Sequence, residues 1–364
     1  MVICIAEDRK ICEPGIKVLV SSIVRNCPRL SIILFYPPAD DNFLSWSKRY
    51  PQLAIDTDPL PGAGSWNIKP HALRHLLDKG HDEVIWIDSD VVVTRDIFPL
   101  FHSLPSDVLV VAEEGLGGTP DDPMGLRARL WGFEVGRIFP FTLNTAVIRV
   151  TIEHYSLLQK WTELLGSEQY QHWQHIEWTE TAMPPFHLAS DQDVLTALLA
   201  SVEYSQVPVR VLNRGKAIIQ YFSLKGYTTV ERSRNLFTGV PAFVHSQGYP
   251  KPWWVESCGK QSVKNYVEAV YRDLSPYLLI ARSYRHELEG ANSWMRPHMP
   301  LGAILRIAGL WYPPLVGFPI ALAVDVRRLA KRLAKRARGA PSAPSPSLEK
   351  PSAPSPGLEK RAGQ

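Results

Sequence analysis

Two aspartates with one residue between them, Asp88 and Asp90, follow the short apolar run Val84-Ile-Trp-Ile87. A run of this length suits a strand buried in a parallel sheet, and open α/β sheets bind their ligands at strand ends. Side chains two apart on an extended strand point the same way, so both carboxylates are expected to offer oxygens to one hard divalent cation and, through it, to a diphosphate. The competing reading is a polar strand end in which one aspartate caps a turn. Three further stretches carry groups suited to such a site. Ala242-Phe-Val-His245-Ser-Gln-Gly248-Tyr-Pro-Lys251-Pro-Trp253 places a metal-ligand type at a strand end and a phosphate-neutralising lysine in the loop beyond it. Asn144 lies within a strand pattern, Phe139 to Val150. Ser190-Asp191-Gln192-Asp193 opens a helical pattern through Leu195, Leu198 and Leu199, which by itself reads as a well-capped helix. His172 and His175, three apart in an aromatic and polar segment, are assigned to the surface or an acceptor groove.

The elements that must position these groups follow from periodicity. Val2 to Ala6 is a buried strand, Ile16 to Val24 a helical pattern, and Leu30 to Tyr36 a second strand, a βαβ opening. Lys69 to Lys79 is a helix started by Pro70, with Leu73, Leu76 and Leu77 on its buried face, and it delivers the chain to the Asp88 strand. A strand at Val108 to Ala112 precedes a Gly-, Pro- and acid-rich loop, Glu113 to Gly125, expected to be a mobile flap. Glu153 to Leu165 is an amphipathic helix. Neither G-x-G-x-x-G after the first strand nor G-x-x-x-x-G-K-[ST] occurs, so a nucleotide would need another device to hold it.

With 364 residues, 45% hydrophobic and 21% charged, the chain can build one large or two ordinary domains. Its four cysteines lack the spacing of a zinc site or a disulfide framework, and a reducing compartment is expected. The opening strand runs directly into acidic residues, unlike a signal peptide. The net charge of +4 conceals a mildly acidic body and a basic tail, with seven basic residues and no acid in 326–338. That pattern argues against a nucleic-acid-binding body and makes the tail a candidate for an anionic surface.

Taken together, Ala6-Glu-Asp8, Asp88-Ser-Asp90, Leu143-Asn144-Thr-Ala-Val, Asp191-Gln192-Asp193 and His245-x-x-Gly248-x-x-Lys251-Pro-Trp253 resemble the retaining glycosyltransferases of family 8, which include bacterial lipopolysaccharide galactosyl- and glucosyltransferases and glycogenin. The resemblance covers roughly residues 1–255. It implies a GT-A type α/β fold, a Rossmann-like mixed sheet with flanking helices. It also implies transfer of a hexose from a nucleotide sugar, UDP-galactose or UDP-glucose, to a hydroxyl of a glycan or lipid-linked glycan with retention. By the same resemblance Asp88, Asp90 and His245 hold Mn2+ or Mg2+, Ala6 and Asp8 touch the uracil, Gly248 and Lys251 hold the diphosphate, and Asn144, Asp191 and Gln192 line the sugar. Asp191 and Gln192 stand by position as stabilisers of an oxocarbenium-like state. Many members carry an arginine in the helix before the metal strand that contacts the donor sugar. Here the segment is Ser65-Trp-Asn-Ile-Lys69-Pro-His71, so Lys69 or His71 would replace it, with a surface or capping role as the other reading of Lys69. The rival assignments are a haloacid-dehalogenase-like phosphatase, which also uses Asp-x-Asp after a buried strand, and a noncatalytic nucleotide-sugar-binding protein.

The expected organisation is a transferase domain over 1–255, a helical extension over 256–295, an apolar and basic segment over 296–338, and a disordered Pro/Ser-rich repeat tail over 339–364. Ile307 to Val324 is uncharged but interrupted by Pro313, Pro314 and Pro319, with basic residues on both sides. The expectation is a cytoplasmic enzyme, peripheral or monotopic at the inner face of the membrane, with a proline-broken core helix pair as the alternative.

Overall fold

Ten strands and the helices between them are described in a computed structural model covering residues 1–62, 64, 67–114, 122, 124–176, 183–221, 226–248, 251–254, 270, 273–288, 293–295, 304, 307 and 312–337. The greater part of the expected flap, all of 256–269, and the 339–364 tail lie outside the described residues.

A mixed sheet of seven strands forms the centre, in the order β3 (Leu53–Asp56), β2 (Ser31–Phe35), β1 (Val2–Ala6), β4 (Glu83–Ile87), β7 (Leu143–Thr151), β6 (Leu109–Glu113) and β8 (Val209–Leu212). Strands β3, β2, β1 and β4 are mutually parallel, β7 runs antiparallel between β4 and β6, and β8 is parallel to β6. A smaller sheet joins β5 (Val91–Val93), β10 (Phe243–His245) and β9 (Ile218–Gln220). This is the mixed α/β arrangement with flanking helices expected for a GT-A fold.

Alternation along the strands sends side chains to two separate cores, which is why the central strands read as unbroken apolar runs. Cys4, Val84 and Trp86 pack with Leu73, Leu76 and Leu77 of helix Ile68–Asp78 and with Trp161 of helix Tyr155–Leu165. Ile3, Ile5, Ile85 and Ile87 pack with Ile16, Leu19 and Ile23 of helix Glu13–Asn26 on the other face. A third cluster joins Val18, Val92 and Val244 to Tyr277, Leu278 and Ala281 of the short helix Pro276–Ala281. Residues beyond 255 thus contribute to the interior of the body, and Met1–Val324 forms one compact unit.

Part of the proline-rich segment is also interior. Arg232 is fully buried in helix Thr229–Thr238. It donates from Nη1 to the carbonyls of Pro313 (2.9 Å), Pro314 (3.3 Å) and Val316 (2.6 Å), and from Nε to that of Tyr227 (3.0 Å). Val316 packs on Val270 and Leu274. A buried guanidinium holding several carbonyls makes this turn a protein contact. The helix Phe318–Ala337 follows, and no helix among the described residues is long and apolar enough to cross a membrane.

Candidate active site

The two aspartates do not alternate along a strand as the sequence suggested. Asp88 to Asp90 form the turn between β4 and β5, closed by the Val91 N–H donating to the Asp88 carbonyl at 3.1 Å. What brings the distant motifs together is strand register. In the antiparallel pairing of β4 with β7, Ile87 opposes Val147, and the Asp88 N–H continues the ladder to the Ala146 carbonyl at 2.9 Å. Asp88 therefore sits beside the Leu143-Asn144-Thr145-Ala146 stretch. On the other side β10 pairs antiparallel with β5 so that His245 opposes Val91, and the Ser246 N–H bonds the Asp90 carbonyl at 2.9 Å.

The result is a cluster of Asp88, Asp90 and His245 whose ligand atoms lie within 4.8 Å of one another. Asp90 and His245 are buried and Asp88 partly so. Two carboxylates and an imidazole suit a divalent metal ion, and this donor set fits such an ion on a further count. The Gln220 side chain is bonded to His245 Nδ1 at 2.6 Å, which leaves Nε2 facing Asp90 Oδ2 at 3.4 Å.

Two lysines flank the cluster. Lys251 Nζ donates to Asp90 Oδ2 at 2.5 Å and to the Ser246 carbonyl at 3.2 Å. Burial works to raise the Asp90 pKa, but the Lys251 ammonium beside it outweighs this and holds the carboxyl well below the usual range. The Gly248 backbone between them has φ of 91°, a left-handed conformation that glycine adopts without strain. Lys69, in the first turn of its helix, reaches Asp88 Oδ1 (3.2 Å), Asp191 Oδ2 (3.1 Å) and Thr145 Oγ1 (2.8 Å). Burial alone would lower its pKa; Asp191 and Asp88 reverse this and raise it. Lys69 thus ties the metal-ligand turn to the start of helix Asp191–Ala200.

At that helix the sequence reading needs one correction. Ser190 occupies the N-cap position, but its hydroxyl donates to Asp193 Oδ2 at 2.6 Å instead of accepting from the backbone. Asp193 also pairs with the fully buried Arg127 at 2.9 Å, so its carboxylate braces the helix start. Asp191 accepts from Thr145 Oγ1 at 2.8 Å. Gln192 Oε1 accepts from Asn144 Nδ2 at 2.9 Å, and Gln192 Nε2 donates to Glu114 Oε2 at 2.5 Å.

Glu114 was not singled out from the sequence. Its buried carboxylate also receives Asn144 Nδ2 (3.1 Å) and Gln247 Nε2 (2.6 Å), so it links β7, the Asp191 helix and the loop after β10. An acid directly after a buried strand is the signal that drew attention to Asp88, and it was present here after β6. At the remaining corner, Ala6 ends β1 and Asp8 is exposed just beyond it. Glu7 between them accepts from Ser89 Oγ at 2.8 Å, which holds this end of β1 against the aspartate turn. His71 is half-buried near the Gly62 turn, whereas His172 and His175 are both exposed.

Solved structures similar to this chain include the glycosyltransferase GlyE of Streptococcus pneumoniae TIGR4, at 16% identity over 78% of this chain and 62% of that one, with a TM-score of 0.45. The galactosyltransferase LgtC, in complex with donor and acceptor sugar analogs, is similar at 15% identity over 79% of this chain and 100% of that one, TM-score 0.47. Mouse xyloside xylosyltransferase 1 is similar at 16% identity over 68% and 97%, TM-score 0.40. The chain thus spans 62% of the length of GlyE. No curated protein sequence matches it. Nothing in the match or the site supports the phosphatase or the noncatalytic alternative. Residues 65–250, just over half of the chain, match the sequence profile described as nucleotide-diphospho-sugar transferase and contain the aspartate turn, the Asp191 helix and His245, so this chain belongs to the nucleotide-diphospho-sugar transferase family.

Proposed function

We propose that the protein transfers a hexose, from UDP-galactose or UDP-glucose, to a hydroxyl of a glycan or lipid-linked glycan with retention of configuration. The observation that carries this reading is the convergence of Asp88, Asp90 and His245 from three separate segments beside Lys251 and Lys69. Asp88, Asp90 and His245 would hold Mn2+ or Mg2+, which when bound neutralises the diphosphate charge that develops as the sugar bond breaks. Lys251 supplies a second positive charge to the same leaving group, and the Gly248 turn lets the backbone approach it. Ala6 and Asp8 serve the nucleoside. Asn144, Asp191 and Gln192 face the sugar, with Asp191 and Gln192 as the catalytic pair that stabilises positive charge at the sugar carbon. Asp191 suits this because Lys69 and Thr145 hold it in place, and Gln192 because Asn144 and Glu114 fix its amide. A panel of nucleotide sugars assayed for Mn2+-dependent nucleotide release tests the reading. Release is expected from one UDP-hexose, and its loss is expected in Asp88→Asn, Asp90→Asn and His245→Ala with the fold intact. Release that is independent of metal, or that survives all three substitutions, would overturn it.

The proposed organisation is a transferase domain over about residues 1–255, a helical extension to 295, an apolar and basic segment to 338 and the tail. The basic segment is proposed to rest on an anionic membrane at the inner face, without contact to nucleic acid. Support comes from helix Phe318–Ala337, where Val326, Leu329 and Leu333 recur at helical spacing and each is more than half exposed among Arg327, Arg328 and Lys331.

A further inference from the structure

Gln220 belongs to none of the motifs above, yet its side chain is bonded to the His245 ring. It ends β9 and is almost wholly buried. The parallel register of β9 with β10 places it directly opposite His245. Both ends of its amide are committed. Nε2 donates to the Glu113 backbone carbonyl at 2.9 Å, and Oε1 faces His245 Nδ1 at 2.6 Å.

A carbonyl oxygen only accepts, so the Glu113 contact fixes which end of the amide is nitrogen. The end facing His245 must then be the oxygen, and a hydrogen bond there requires Nδ1 to be the donor. The proton of the ligating form is accordingly held on Nδ1, and the Nε2 lone pair is directed at Asp90 Oδ2, 3.4 Å away. Two electron-rich atoms face each other at the distance expected of ligands that share one cation.

We infer that Gln220 is a positioning residue for the metal site: it sets the tautomer and ring orientation of His245 so that Nε2 is presented as a ligand. The inference rests on the proposal that Asp88, Asp90 and His245 hold a divalent ion. It adds a residue outside that triad, on a strand that contributes none of its three members.

The test is Mn2+ binding to the full chain without nucleotide sugar, followed by titration calorimetry and by the paramagnetic resonance of free Mn2+. Gln220→Leu removes the acceptor and should weaken Mn2+ binding by about 10–100-fold. Gln220→Glu restores an acceptor at Nδ1 and should recover most of that loss, which a merely space-filling role for Gln220 would not produce. Selective 15N-histidine spectra read the tautomer directly and need no variant to fold. In the wild-type chain His245 should carry its proton on Nδ1, and a proton on Nε2 alone would overturn the inference. Wild-type chain that binds no Mn2+ would overturn both the metal reading and this one. Wild-type binding that Gln220→Leu leaves unchanged would overturn this inference and leave the metal reading standing.

Discussion

Replacing Lys69 with methionine removes a charge that bridges the metal-ligand turn and the Asp191 helix. Its ammonium stands 3.2 Å from Asp88 Oδ1 and 3.1 Å from Asp191 Oδ2, with its side chain 12% exposed. At an effective dielectric constant of about 20, each contact is worth roughly 5 kcal/mol of attraction. Desolvation of the three charges offsets much of this. Removing one partner, however, leaves two carboxylates in a partly dry site, at a cost on the order of 3–5 kcal/mol. For a unit of this size that corresponds to a fall in melting temperature of about 4–7 °C. The pH dependence has a definite sign. The folded-state pKa of Lys69 is raised above its ordinary value of 10.5, so its contribution is complete below that value and is lost only as pH rises through the folded pKa. The penalty of Lys69→Met should therefore be the same at pH 6 and pH 8. Chemical denaturation at both values measures it, and Lys69→Arg, which keeps the charge, should recover more than half. A Lys69→Met chain within about 1 kcal/mol of wild type would show that the bridge contributes no more than an exposed pair and would refute the reasoning.

Further outcomes follow from the site. Lys251→Ala should leave the protein folded but lower the rate of nucleotide departure by about 10²–10³-fold, read in single-turnover release; an unchanged rate would reassign Lys251 to structure. Glu114→Gln replaces the acceptor of three amides with a group that also donates. We expect kcat to fall by at least about tenfold with Mn2+ affinity unchanged, and equal kcat would remove Glu114 from the positioning of Gln192. For the tail, the full chain should sediment with anionic vesicles and not with neutral ones, each basic residue near the surface contributing about 1 kcal/mol. Leu329→Asp combined with Leu333→Asp should abolish sedimentation, and a full chain that stays in the supernatant at low salt would end the membrane proposal.

Local pattern alone determined β1, β2, β4, β6 and β7, the βαβ opening, the helix that precedes the Asp88 strand, and the residue types from which an ion-binding, diphosphate-binding site can be made, but it left out the short strands β3 and β5. These depend on periodicity and on side-chain chemistry, which are written within a few residues of each position. How the groups meet was decided only by tertiary structure. Asp88 and Asp90 converge through a turn instead of strand alternation, and His245 joins them because β10 pairs antiparallel with β5 in one particular register. Register between segments far apart in the chain is set by packing on both faces of the sheets, which no local window contains. The same holds for Lys69, whose part as a bridge needs Asp191 brought back beside Asp88, and for Gln220, an ordinary buried strand residue until β9 lies against His245. The proline-rich run shows the reverse limit. Its lack of charge was plain in the sequence, but the burial of Pro314 and Val316 depends on Arg232, some eighty residues earlier, finding carbonyls there to satisfy its guanidinium.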